Sequence, residues 1–233
     1  RDAGSGWHAQ IPDDKTMLRA ARDLTKDIAA HRADIYWPDM VGSALVGYGA
    51  LAGAILTGSL PLAILLAGVA VLALYRALLF IHEISHLRNG TLPGFRTAWN
   101  VLVGIPMLTP SFMYEGVHTL HHKRTQYGTI EDPEYLPLAL MKPWSLPVFV
   151  LVALGAIIPP IRRQTWQRLS ALAINPEFRR RPPEGDLRPR VFWQEVGGMA
   201  WGWALIASVF AFGWKPLLVA FAVAAVVALL NQL

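Results

Sequence analysis

The sequence predicts an all-α membrane protein, with about four transmembrane helices in two hairpins and short interfacial or re-entrant helices between them. Three observations predict it. Hydrophobic residues make up 54% of the 233, yet 21 Lys and Arg and 16 Asp and Glu remain. Such a chain is too apolar for an ordinary soluble domain and must keep its charges outside its apolar runs. Long apolar runs recur in pairs separated by very short turns, Val41–Gly58 with Leu62–Ile81 and Phe192–Phe212 with Leu217–Leu233. Finally, five of the seven histidines fall in two tight clusters, each directly after an apolar stretch.

Residues 1–40 are polar, of mixed charge, and form the first of two regions; 41–233 form the membrane domain. Within the first, Met17 to Ala30 places Leu18, Ala21, Leu24 and Ile28 on one side of a helix. Val41–Gly58 is uncharged and rich in Gly and Ala, as a closely packed span requires. Ser59 and Pro61 mark a tight turn, and Leu62–Ile81 runs back, with Arg76 near the inner end where it can snorkel. Thr97–Phe112 is apolar but short, and carries Pro106 and Pro110, so a re-entrant or interfacial segment is expected. Trp144–Pro160, with Pro147, Pro159 and Pro160, follows the same logic. An arginine-rich loop then leads to Phe192–Phe212, interrupted by Glu195, a turn at Trp214-Lys215-Pro216, and Leu217–Leu233.

Charge sets an expected orientation. Six positive residues lie in 1–40, five in 82–143 and eight in 161–190, whereas the two short turns hold only Lys215. By the positive-inside rule the N-terminus and both histidine clusters face the cytoplasm. The basic residues sit beside apolar spans, so the net charge of +5 marks topology and no nucleic-acid partner. The absence of cysteine excludes disulfides, thiolate metal sites and a catalytic thiol, leaving His, Asp and Glu as ligands.

The clusters read His82-Glu-Ile-Ser-His86 and His118-Thr-Leu-His121-His122. On helices the spacings i, i+4 and i, i+3, i+4 each put their imidazoles on one face. Neutral imidazole suits iron, zinc or copper. One zinc takes three or four protein ligands, so five clustered histidines exceed it. Two irons would need roughly eight to ten ligands, of which five are about half.

In order and spacing, HEISH and, after 31 intervening residues, HTLHH resemble the first and second histidine boxes of the membrane fatty acid desaturase superfamily. The flanks WNVLVGIP and HHKRTQYGTIEDPEYLPL are similar too, and the resemblance covers roughly residues 40–233. It implies a non-haem di-iron oxygenase that attacks unactivated C–H bonds of an apolar chain, most simply as an acyl desaturase. His82, His86, His118, His121 and His122 would be iron ligands, as would Asn231 at the inner end of the last run, unless it is only a helix cap. The implied partners are an acyl lipid or acyl carrier as substrate, membrane lipids and a separate electron-transfer protein. The family's third box has no counterpart here: His8 and His31 lie in the polar region and match no motif, which implies a partial polypeptide. Residues 1–233 alone are therefore expected neither to hold two irons nor to turn over.

Among lesser candidates, Glu83 is placed to hydrogen-bond a ligand imidazole or to be a solvated interfacial charge, and Asp132 and Glu134 to orient the imidazoles of the second box or to close a loop. Asn100 needs a buried partner, most simply in packing, and Trp99 and Tyr114 read as interface aromatics. The arginine loop serves topology and anionic lipid, or an acidic electron donor. Two competing functions remain. HEISH also fits the His-Glu-x-x-His pattern of a membrane zinc metalloprotease with Glu83 as base, but this leaves three histidines over. A membrane metal carrier would want polar residues along its spans, which are nearly free of them. Within the superfamily, a lipid or carotenoid hydroxylase is the alternative to a desaturase, because the metal site does not decide which C–H is attacked.

Overall fold

The computed structural model describes residues 12–25, 31–88, 90–115, 117–123, 125, 127, 129, 131, 132, 185 and 187–230. Every regular element among them is helical. The chain divides into two compact units, Arg1–Tyr36 and Trp37–Leu233. The first holds α1 (Pro12–Thr25), on which Met17, Leu18 and Leu24 are exposed. His31 packs beside Tyr36 in this unit, with ring centres 5.6 Å apart; His8 lies outside the described residues.

The second unit is built on two hairpins. Helix α2 (Ala33–Leu56) contributes from Trp37 onward, and α3 (Leu60–His86) returns beside it. Both start or end beyond the apolar runs that anticipated them. Pro61 stands in the first turn of α3 rather than in the preceding loop, where its missing N–H costs no helical bond. At the other end α3 continues through the first histidine box. Its 27 residues extend about 40 Å, more than the roughly 30 Å of hydrocarbon in a bilayer, so one end must stand outside it.

Helices α6 (Leu187–Phe212) and α7 (Trp214–Leu230) make the second hairpin. The break falls at Gly213, whose φ of 75° suits glycine, and Trp214 to Pro216 form the first turn of α7 instead of a loop. Lys215 donates to the Thr57 carbonyl at 2.7 Å, tying the turn ends of the two hairpins together. Among the described residues three helices, α2, α3 and α6, are long and apolar enough to cross a membrane, and α7 is a shorter apolar helix of 17 residues. Phe210 is 93% exposed and Leu56 83%, an arrangement that water disfavours and lipid does not.

Between the hairpins lies a broken segment. Helix α4 (Phe95–Trp99) passes directly into a π turn (Asn100–Gly104), and a 3₁₀ turn (Ser111–Met113) precedes α5 (Val117–His121). No piece of it is long enough to span, as its two prolines anticipate. Trp99, expected at an interface, is instead fully buried, and its indole N–H donates to the Ala77 carbonyl of α3 at 2.8 Å. Arg76 forms a two-pronged ion pair with Asp39 of α2, with both contacts at 2.7 Å. Trp144–Pro160, the bulk of the arginine loop, Glu134 and Asn231 lie outside the described residues.

Candidate metal centre

The first histidine box is the last turn of α3. A buried stripe of Ala70, Leu74, Ala77, Leu78, Ile81 and Ile84 holds the helix against its neighbours. His82 and His86 lie off that stripe and are exposed together at the helix end. The chain leaves α3 at Leu87 in extended conformation and reverses through Gly90 and Gly94, with φ of 86° and 78°. This returns α4 along the end of α3.

The second box is delivered by the segment that follows. Asn100 staples its two ends: its amide donates to Ser111 Oγ at 2.8 Å and its Oδ1 accepts from the Ser111 N–H at 2.8 Å. Asn100 thus serves packing, as its burial in an apolar run requires. Gln194 of α6, also fully buried, accepts from the Phe112 N–H at 3.0 Å and from Ser111 Oγ at 3.4 Å. Glu115 pairs with Arg96 at 3.0 Å and lies 3.8 Å from Arg190 of α6. Tyr114, one turn before His118, stacks on its ring with centres 4.5 Å apart.

So held, four of the five clustered histidines meet. One nitrogen from each of His82, His86, His118 and His122 lies within 4.8 Å of all the others. His118 is the buried member and the hub: its Nε2 is 3.1 Å from His86 Nε2 and 2.8 Å from His122 Nε2. One Nε2 carries either one proton or one lone pair, so it cannot make both contacts as ordinary, fully formed hydrogen bonds. A cation that accepts electron pairs from all of these nitrogens resolves the conflict, and the donor set therefore fits a metal.

His121 is placed differently. It is buried, and its Nδ1 lies 3.0 Å from both oxygens of the fully buried Asp132. Its ring centre is 5.4 Å from that of His122 and 5.8 Å from that of His118. It stands beside the group of four rather than in it. Glu83 is 3.6 Å from His82 Nδ1 and 41% exposed, a partly solvated position. Sequence reasoning had no grip on Arg96, Glu115 or Gln194. The one available signal was that each is polar within or beside an apolar stretch.

Fold and site together define a class: helical membrane proteins that gather a polyhistidine cluster at the end of their spans. This chain belongs to the fatty acid desaturase family, whose profile matches residues 57–233. It is similar to a ceramide hydroxylase of Caulobacter vibrioides (strain NA1000 / CB15N), with 43% identity over 220 residues, 86% of this chain. The chain spans 62% of the length of that relative. No solved structure matches it.

Proposed function

We propose that this chain carries two histidine boxes of a membrane oxygenase that hydroxylates a lipid chain, with an N-acylated lipid of the ceramide class as substrate. The observation that carries the proposal is the convergence of His82, His86, His118 and His122 from two distant segments, in a chain 43% identical to a ceramide hydroxylase. That relative favours hydroxylation over the double-bond formation expected first from sequence. The convergence also favours an oxygenase over a zinc protease, in which HEISH would supply two ligands and an acidic residue of a later motif the third.

The five histidines would hold two non-haem irons together with ligands from elsewhere, Asn231 among them. Bound there, the irons would supply activation of dioxygen and attack on an unactivated C–H bond. Asp132 holds the proton of His121 on Nδ1, which leaves the lone pair on Nε2 for a metal. Tyr114 covers one face of His118 and fixes its ring.

A cavity of about 650 Å³ between α2, the π turn, α6 and α7 is lined almost wholly by apolar side chains, including Leu51, Met107, Leu205 and Phe221. Its size and chemistry suit a hydrocarbon tail. The positive residues near the boxes support a cytoplasmic position for this end of the molecule, where a separate protein would deliver electrons.

The test is reconstitution of the full-length protein in lipid with iron, dioxygen and an electron donor, offering ceramide and simple acyl lipids. A ceramide product heavier by one oxygen atom is expected. A product lighter by two hydrogens would reassign the enzyme as a desaturase, and turnover with zinc alone would end the oxygenase reading.

A further inference from the structure

We infer that Arg96 is a positioning residue that clasps the two histidine boxes into register. Its guanidinium touches both box-bearing segments at once. Nη2 donates to the Ile84 carbonyl at 3.0 Å and the Leu87 carbonyl at 3.4 Å, at the end of α3 that carries His82 and His86. Nη1 donates to Glu115 Oε2 at 3.0 Å, three residues before His118.

Each half of the clasp has its own physical rationale. The last carbonyls of a helix lack intrahelical donors and carry the negative end of its dipole, so a cation there is stabilising. The Arg96 and Glu115 side chains are 22% and 15% exposed, so their pairing is far less screened than a surface ion pair. Arg190 of α6, 3.8 Å from the same Glu115 oxygen, extends the clasp to a third element.

Only a planar fork of several N–H donors does this. A lysine offers one compact charge on a flexible stem, and cannot cap carbonyls and grip a carboxylate with fixed geometry together. The glycine turns at Gly90 and Gly94 bring Arg96 back to the end of α3. Trp99 and Asn100 anchor the broken segment further back, and the clasp adds the direct tie between the end of α3 and the residues just before α5.

The inference rests on the reading of the imidazole cluster as a metal site, and its test separates the two. Co²⁺ is titrated into the purified full-length protein, and binding is followed by its visible absorption. Arg96→Ala and Glu115→Gln are each expected to weaken Co²⁺ binding by about tenfold to a hundredfold, at unchanged helical content by circular dichroism. Their combination should cost little more than either alone, because both break one device. Arg96→Lys should resemble Arg96→Ala.

Unchanged affinity in the folded single variants overturns the clasp, and so does additivity or full rescue by lysine. Should Arg96→Ala fail to fold, Glu115→Gln, of nearly equal volume, gives the same readout. If the unaltered protein takes up no Co²⁺, the metal reading falls and the clasp with it.

Discussion

His118 is the residue on which the cluster turns. It is buried, stacked on Tyr114, and has the Nε2 atoms of His86 and His122 at 3.1 and 2.8 Å. His118→Ala should therefore lower metal uptake more than His82→Ala, which removes a half-exposed ring at the edge. Metal analysis of the two purified variants checks the order.

Asp132 admits a graded test. Asparagine can still accept the Nδ1 proton of His121 through its oxygen, whereas alanine leaves that proton unpaired in a buried place. Asp132→Ala should cost about 1–3 kcal/mol of stability, with a smaller loss for Asp132→Asn, measured by denaturation in detergent. Both should weaken metal binding, because the neighbouring carboxylate sets the tautomer and basicity of the imidazole.

At the scale of elements, the first hairpin depends on a close approach of two helices. A Cβ at Gly47 of α2 would stand 2.6 Å from Leu74 Cγ and 3.2 Å from the Leu74 backbone nitrogen of α3. Leu74 is fully buried and has little room to yield. Gly47→Ala should destabilise the protein by about 1–3 kcal/mol. Gly49, two residues on, has nothing within 4 Å of such a Cβ. Gly49→Ala should be neutral or stabilising by up to about 1 kcal/mol, since alanine is the better helix former. Thermal melts of the pair decide whether the hairpin is set by this contact.

The broken segment from α4 to α5 follows a related logic. Its π turn and prolines prevent a span, and Asn100, Ser111 and Gln194 satisfy the backbone that the break exposes. Leu108, in the left-handed region at φ 58°, shows that the segment is held by its surroundings rather than by local preference.

At the scale of the whole molecule, metal and membrane make joint demands. Imidazole binds metal only when unprotonated, so acidification should release the ions, and metal content measured against pH should fall on the acid side. Residues 1–233 present five clustered histidines, about half of what two irons need, and should retain fewer than two irons per chain. Elemental analysis tests this. The lack of any cysteine makes topology accessible to single introduced thiols. In intact cells Ser59→Cys, at the short turn, should react with an impermeant thiol reagent, and Arg88→Cys, beside the first box, should not. The reverse pattern would place the boxes outside the cytoplasm.

Much of this protein is written locally. Hydropathy alone marks the membrane helices, because an apolar run of this length has few other places to go, and the i, i+3, i+4 spacing of the histidines marks a shared face on each segment. Their family resemblance follows from the same short motifs. Helix ends were less legible: Pro61 and Trp214 to Pro216 look like loop and are first turns, because proline is tolerated where the N–H has no partner. Trp99 and Tyr114 read as interface aromatics, yet one is core and the other lies against His118. What no local pattern contains is which faces meet. The chain reversal after α3, the reach of Arg96 across it, and the turning of His121 toward Asp132 join residues far apart in sequence. The residues along the chain therefore determined a helical membrane protein with two histidine faces. Only the tertiary structure decided that four of those imidazoles point at one place and the fifth at a carboxylate, because convergence is a property of packing between elements and not of any one of them.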